Sequence, residues 1–172
     1  MPSLSSRPRL LLVRLPPWLS RRNRHPHDLM WPVALLNAQT LARAAGWHTQ
    51  ILDLHVEALT GPQLAARVVD FHPDVLVVDT MTPTLATALQ LARAVAVRSP
   101  NTKRWAVGQH ATACPGDLLA KSAFQRALSG EADVAIGNEL ALTSLSDATT
   151  SGPHGRLQLE DLDSLPPVDP RG

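Results

Sequence analysis

The run Val75-Leu76-Val77-Val78 constrains this chain more than any other feature. It is continuously apolar and rich in β-branched residues, the pattern of a strand buried on both faces. His72-Pro73-Asp74 introduces it. It ends in a hydroxyl-rich loop, Asp79-Thr80-Met81-Thr82, and passes through Pro83-Thr84 straight into a segment of helical spacing. A doubly covered strand followed at once by a helix is one half of a βα crossover, and such units assemble into parallel sheets.

The same alternation repeats along the chain. Arg9 to Leu15 is a short apolar run stopped by Pro16-Pro17. Leu35, Ala38, Ala42 and Ala45 give helical spacing over Pro32 to Ala45, with Gly46 as the stop. Trp47 to Asp53 reads as strand. Gly61 to Phe71 reads as helix, opened by Thr60 and Pro62. Leu85, Leu89, Ala92 and Ala96 share one face of a helix over Pro83 to Ser99. Arg104 to Gly108 then reads as strand, Asp117 to Ser129 as helix, Val134 to Ile136 as strand and Glu139 to Leu145 as a last short helix. Five such units with short connections predict an α/β domain with a doubly wound, five-stranded parallel sheet. Its flavodoxin-like (Rossmann-like) order is expected to be 2-1-3-4-5.

Composition bounds the rest. The 172 residues suffice for one domain with a proper core. The predicted domain covers 1–145. Ser146 to Gly155 is a Ser/Thr/Gly/Pro linker, and the acidic, proline-rich tail that follows has no period. A net charge of +1 predicts no nucleic-acid or membrane partner from whole-molecule electrostatics. Tyrosine is absent, which argues against base stacking on a single-strand platform. No apolar run reaches membrane-spanning length, and Arg14 interrupts the only run near the N-terminus. The expected compartment is the cytoplasm. Cys114 is the single cysteine, so this chain is expected to hold no disulfide and no iron–sulfur cluster.

Open α/β sheets bind ligands at the carboxyl ends of their strands. Two such loops stand out: Asp79-Thr80-Met81-Thr82 and Gly108-Gln109-His110-Ala111. Pro17 and Trp18, where the first strand ends, add to the candidate edge. A phosphoreceiver is disfavoured, because the first strand ends in Leu-Pro-Pro and not in an acidic pair. No glycine-rich phosphate cradle is present.

These motifs, taken in order, resemble a known family. Pro32-Val33-Ala34 enters a helix, Leu41-Ala42-Arg43-Ala44-Ala45-Gly46-Trp47-His48 follows, and a strand ends at Asp53. Then come Pro73-Asp74-Val75, Met81-Thr82-Pro83-Thr84, His110-Ala111-Thr112-Ala113 and Leu162-Asp163-Ser164-Leu165-Pro166-Pro167. The series is similar to the N-terminal cobalamin-binding domain of cobalamin-dependent radical S-adenosylmethionine enzymes, over nearly the whole chain. In that family the Leu-Pro-Pro segment leads to a barrel carrying a CxxxCxxC motif. That motif does not occur here, so the chain reads as a standalone relative or a fragment. It is expected to have no catalytic activity of its own and to act with a separate radical S-adenosylmethionine protein.

The resemblance implies roles residue by residue. Asp79, Thr80, Met81 and Thr82 occupy the family's Ser/Thr-rich loop beside the corrin. Asp79 departs from a small hydroxyl position. Thr80 and Thr82 also suit capping of the helix that follows, and the two roles are compatible. Gly108, Gln109, His110 and Ala111 stand at the family's Gly-Gly-Pro-His, with Gln109 a second departure. Gly137-Asn138-Glu139 aligns with an Arg-Gly-Glu turn, where Asn138 replaces glycine and Glu139 would sit against a helix dipole. Asp53-Leu54-His55 resembles half of the DxHxxG motif that supplies an axial histidine elsewhere. It follows the wrong strand, and Ala58 stands where glycine is required, so His55 is read as a surface loop residue. The basic segment Arg21 to His27 is open to a phosphate or acidic partner, or is simply solvated. Cys114 has no base-bearing motif around it, so neither a catalytic residue nor a metal ligand is expected.

Two functions lead, with an unrelated flavodoxin-like regulator as a third reading. One is a cobalamin-binding module. The other is a degenerate, non-binding relative serving as an interaction scaffold, because Asp79, Gln109 and Asn138 all depart from the family pattern on the ligand edge.

Overall fold

The computed structural model describes residues 7–17, 30–120 and 123–145. Its sheet has five parallel strands in the order β2-β1-β3-β4-β5. The strands are β1 (Arg9–Arg14), β2 (His48–Asp53), β3 (Val75–Asp79), β4 (Lys103–Val107) and β5 (Arg126–Ala127). The helices are α1 (Val33–Ala44), α2 (Gly61–Phe71), α3 (Leu85–Arg98), α4 (Gln109–Ala113), α5 (Pro115–Leu119) and α6 (Ala132–Leu145). The fold class, strand order and central strands are as the sequence predicts. Trp18, the basic segment and the tail after residue 145 lie outside the described residues.

Alternation along the strands splits the core into two layers. Leu11, Val13, Leu76 and Val78 pack on one face against Leu64 and Val68 of α2 and Ala88, Ala92 and Val95 of α3. Leu10, Leu12, Val75, Val77, Trp105 and Val107 pack on the other against Leu35, Ala38 and Ala42 of α1 and Ala135, Ile136 and Leu140 of α6. Both faces of β1 and β3 are therefore covered, which is why their sequences are apolar without a break. Local signals fix the helix ends. At α2, Thr60 and Gln63 form a reciprocal capping box. The Pro83 segment begins as a single 3-10 turn, Thr82–Thr84, before α3.

The last third differs from expectation. Asp117 to Ser129 is not one helix: α5 ends at Leu119, and β5 follows at Arg126–Ala127. The stretch Val134 to Ile136, read as a strand from its β-branched residues, lies inside α6, which runs unbroken over Ala132–Leu145. Packing decides this. Ala135, Ile136 and Leu140 fall on one helical stripe that covers the sheet beside α1.

Candidate functional site

Arg14, Asp53 and Asp79 are the last residues of β1, β2 and β3, and pairing places them side by side. Arg14 is in register with Asp53 on one side and with Asp79 on the other. Next in the row is Val107, opposite Asp79. Strand alternation turns this row toward the α1/α6 face. Arg14 Nη1 donates to the Met30 carbonyl at 2.6 Å and to Asp53 Oδ2 at 3.3 Å. The described residues offer the Asp79 carboxylate an ion in Arg14 but no hydrogen bond. Burial therefore pushes the Asp79 carboxyl above its ordinary value. Arg14 and His55 pull it back only in part, and Asp53 adds to the rise.

Gly108 follows the row with φ +94°, a conformation that side chains rarely adopt. A Cβ there would strike Asp79 Oδ1 and lie 2.9 Å from the Thr80 carbonyl oxygen. Asp79 thus packs directly on the glycine backbone. The loops after β3 and β4 are stitched together around this contact. Thr80 N–H and Oγ1–H both donate to the Val107 carbonyl, at 2.8 and 2.7 Å, and His110 N–H donates to the Thr80 carbonyl at 3.0 Å. Thr112 extends the seam to the next loop, since its hydroxyl donates to the Gly108 carbonyl and accepts from Gly130 N–H, both at 3.0 Å.

A cleft of about 550 Å³ opens above this seam, between the sheet edge and the N-termini of α1 and α6. Pro32, Val33, Ala34 and Leu35 form one wall. Arg14, Asp79, Met81, Gly108 and Gln109 form the floor, and Thr112, Gly130, Glu131 and Ala132 close the far side. One apolar wall facing a few convergent polar groups is the composition of a small-molecule site.

Of the residues expected at the site, the structure brings Asp79, Met81, Gly108 and Gln109 into the cleft. Pro17 is half-buried beyond β1, outside that lining. Thr80 and Ala111 are buried, and the Thr80 hydroxyl is already committed to Val107. Thr82 is exposed, and its hydroxyl lies 3.1 Å from His110 Nδ1. His110 is buried, with Nε2 3.6 Å from Asp117 Oδ2, and it faces away from the cleft.

Two readings are corrected. Gly137, Asn138 and Glu139 form no turn, because they lie in the second and third turns of α6. Gly137 approaches Leu41 of α1, Asn138 is exposed, and Glu139 is buried with Oε1 2.8 Å from Arg126 Nε. The segment that reaches that edge is instead the one around Gly130, at φ +102°, and Glu131. His55 is not a surface residue. It is buried, and its Nε2 lies 3.2 Å from the Leu15 carbonyl oxygen. Sequence reasoning also missed Arg14 and the α1 wall. Arg14, an isolated charge ending an apolar strand, was the available signal.

The Asp79 carboxyl gives a stability test. Its raised value means that its contribution is fully present below the ordinary 3.8 and is lost as pH rises through the folded-state value. Asp79→Asn does not titrate there. It is expected to be more stable than the parent at neutral pH, by about 1 kcal/mol, with the gap closing near pH 4. Urea unfolding at both pH values measures this, and equal gaps would contradict the burial of a charged Asp79.

Comparison with known proteins identifies the family and agrees with the fold. The family model described as the B12 binding domain matches residues 26–138, and the chain belongs to that family. The fold is similar to part of the cobalamin-dependent S-adenosylmethionine radical enzyme OxsB, solved with aqua-cobalamin and S-adenosylmethionine bound. That likeness has a TM-score of 0.67 at 12% identity and covers 81% of this chain but 19% of the enzyme. The chain thus spans about a fifth of that protein. A looser likeness, TM-score 0.41 at 18% identity over 77% of this chain and 98% of the other, is to the pilus assembly protein CpaE from Caulobacter crescentus CB15. No curated protein matches the sequence.

Proposed function

We propose that the chain is a cobalamin-binding module whose ligand sits at the cleft over the β1, β3 and β4 ends. The observation that carries this reading is the Asp79–Gly108 floor, where the absence of a side chain at Gly108 opens the sheet edge to close approach. A corrinoid is a flat apolar ring fringed by carboxamides, with a nucleotide tail. The residues present fit such a group. Pro32, Val33 and Leu35 offer apolar contact, while Gln109 and Arg14 offer polar groups beside it. The cleft is smaller than a whole corrinoid, so it takes one part of the ligand and the remainder lies over the rim. When bound, the cofactor supplies methyl-carrying and redox chemistry. The chain's own contribution is to bind, orient and shield it. Among the described residues no histidine lines the cleft, so this reading does not place one on the cobalt.

The likeness to part of the radical enzyme OxsB supports a partnership with a radical S-adenosylmethionine protein. The module would then present its cofactor to that partner. The test is direct. Purified protein mixed with hydroxocobalamin and desalted should retain the corrin absorption in about equimolar amount. A colourless protein would favour the alternative of a non-binding interaction domain.

A further inference from the structure

We propose that Arg14 is a positioning residue of the cleft: its guanidinium latches the lip formed by residues 30–33 to the end of β1 and holds that lip where the ligand meets it. The inference rests on the cleft being the corrinoid site, and it assigns one residue the task of keeping the rim in place.

Little else holds the lip. Met30, Trp31 and Val33 are 70%, 64% and 55% exposed, so apolar burial does not fix them. Helix α1 starts at Val33 behind Pro32, which supplies no side-chain cap, and the first turn carries no acidic residue. Val33 N–H donates to the Trp31 carbonyl and Leu36 N–H to the Pro32 carbonyl, so these bonds stay within the lip and α1. Core packing takes over only at Leu35 and Leu36, which are buried. Among the described residues, the 2.6 Å bond that Arg14 Nη1 donates to the Met30 carbonyl is the one hydrogen bond joining the lip to the sheet.

The other end of the latch is firm. Strand β1 is paired on both sides, and Arg14 lies in register between Asp53 and Asp79. The same Nη1 also donates to Asp53 Oδ2 at 3.3 Å. Arg14 thus performs two separable tasks. Its charge sits between two carboxylates, and its Nη1 hydrogens reach a neutral carbonyl on the lip. Pro32 and Val33 line the cleft together with Arg14, while Met30, Trp31 and Pro32 line a second hollow of about 460 Å³ beside β2. A lip released from Arg14 has that hollow to move into, away from the ligand.

Two substitutions separate the tasks. Arg14→Met keeps an apolar stem and loses both charge and donor. Arg14→Lys keeps the charge, but an ammonium is a point charge that settles on carboxylates before a neutral carbonyl. Thermal melts, amide hydrogen exchange of the unliganded proteins and hydroxocobalamin titrations read the result. In Arg14→Lys the melting temperature should stay close to that of the parent, while exchange at the Val33 and Leu36 amides quickens about tenfold and corrin affinity falls about tenfold. Arg14→Met should show the same loosening together with a lower melting temperature, and Arg14→Lys decides the matter even where Arg14→Met does not fold. Parent-like exchange and affinity in Arg14→Lys would mean that charge alone matters, and would overturn the proposal. A fall in affinity that tracks stability, with exchange at the lip unchanged, is the mark of a merely structural residue and overturns it too. In both cases the parent retains corrin and the cleft reading stands. A parent that retains no corrin removes both.

Discussion

Gly108→Ala is expected to be the most damaging single change at the site. Alanine at φ +94° is strained wherever it stands, and here its Cβ would also meet Asp79 and the Thr80 backbone. The Asp79 side chain can move aside, but the Thr80 carbonyl cannot, because Thr80 is held by two hydrogen bonds to Val107 and one from His110. Strain and overpacking together should cost about 2–5 kcal/mol. The double variant Gly108→Ala with Asp79→Ala should recover only a small part of that. Denaturant unfolding of the two variants checks it. Full recovery in the double variant would mean that the clash with the carboxylate is the whole effect and that the loop seam is soft. Any corrin retained by the folded fraction of Gly108→Ala should be far less than in the parent, since the floor would have to shift.

The second large effect is expected away from the cleft. Glu139 is buried on α6, and Arg126 on β5 is four-fifths buried beside it. Glu139→Ala would leave the Arg126 guanidinium without this partner, and breaking a buried pair from one side costs about 3–5 kcal/mol. The residual exposure of Arg126 lowers the expected cost to roughly 2–3 kcal/mol, a fall in melting temperature of about 5–10 °C. Corrin affinity of the folded protein should stay unchanged. The pair fastens the two-residue strand β5 to the helix that follows it, and it does not face the cleft. A thermal melt and a binding titration of the same sample separate the two properties. Lost affinity with normal stability would return Glu139 to the binding edge.

Most of the fold was legible in the sequence, because β1 to β4 and α1 to α3 carry long, consistent patterns. The continuous run Val75 to Val78 and the helical stripe from Leu85 to Ala92 each have one plausible reading. The failure after Ala113 has a physical cause. Strand β5 is only Arg126–Ala127, and both residues are half-buried, so it leaves no periodic trace. Val134 and Ile136 carry a strand-like local preference that contact with the sheet and α1 overrides. Misplacing that strand set the expected turn at Gly137-Asn138-Glu139, where α6 runs. The rest of the site was half legible. The ends of β3 and β4 and the loops after them place Asp79, Met81, Gly108 and Gln109 along the cleft. The hydroxyls of Thr80 and Thr82, which looked available to a ligand, are engaged by Val107 and His110, and residue type alone does not reveal that commitment.

The charged row has a bearing on assembly as well as on binding. Strands β1 and β3 are apolar on both faces, so sliding one past the other by a residue exchanges one greasy surface for another, and the usual penalty for mispairing is weak. Their ends supply the missing instruction. Arg9 is tied to Asp74 through its N–H at one end, and Arg14 lies between Asp53 and Asp79 at the other. A slip would separate Arg14 from its two carboxylates at one end and break the Arg9 N–H bond to Asp74 at the other. The groups that make the ligand edge chemically distinctive thereby also act as the alignment marks by which three strands, distant in sequence, find their correct partners.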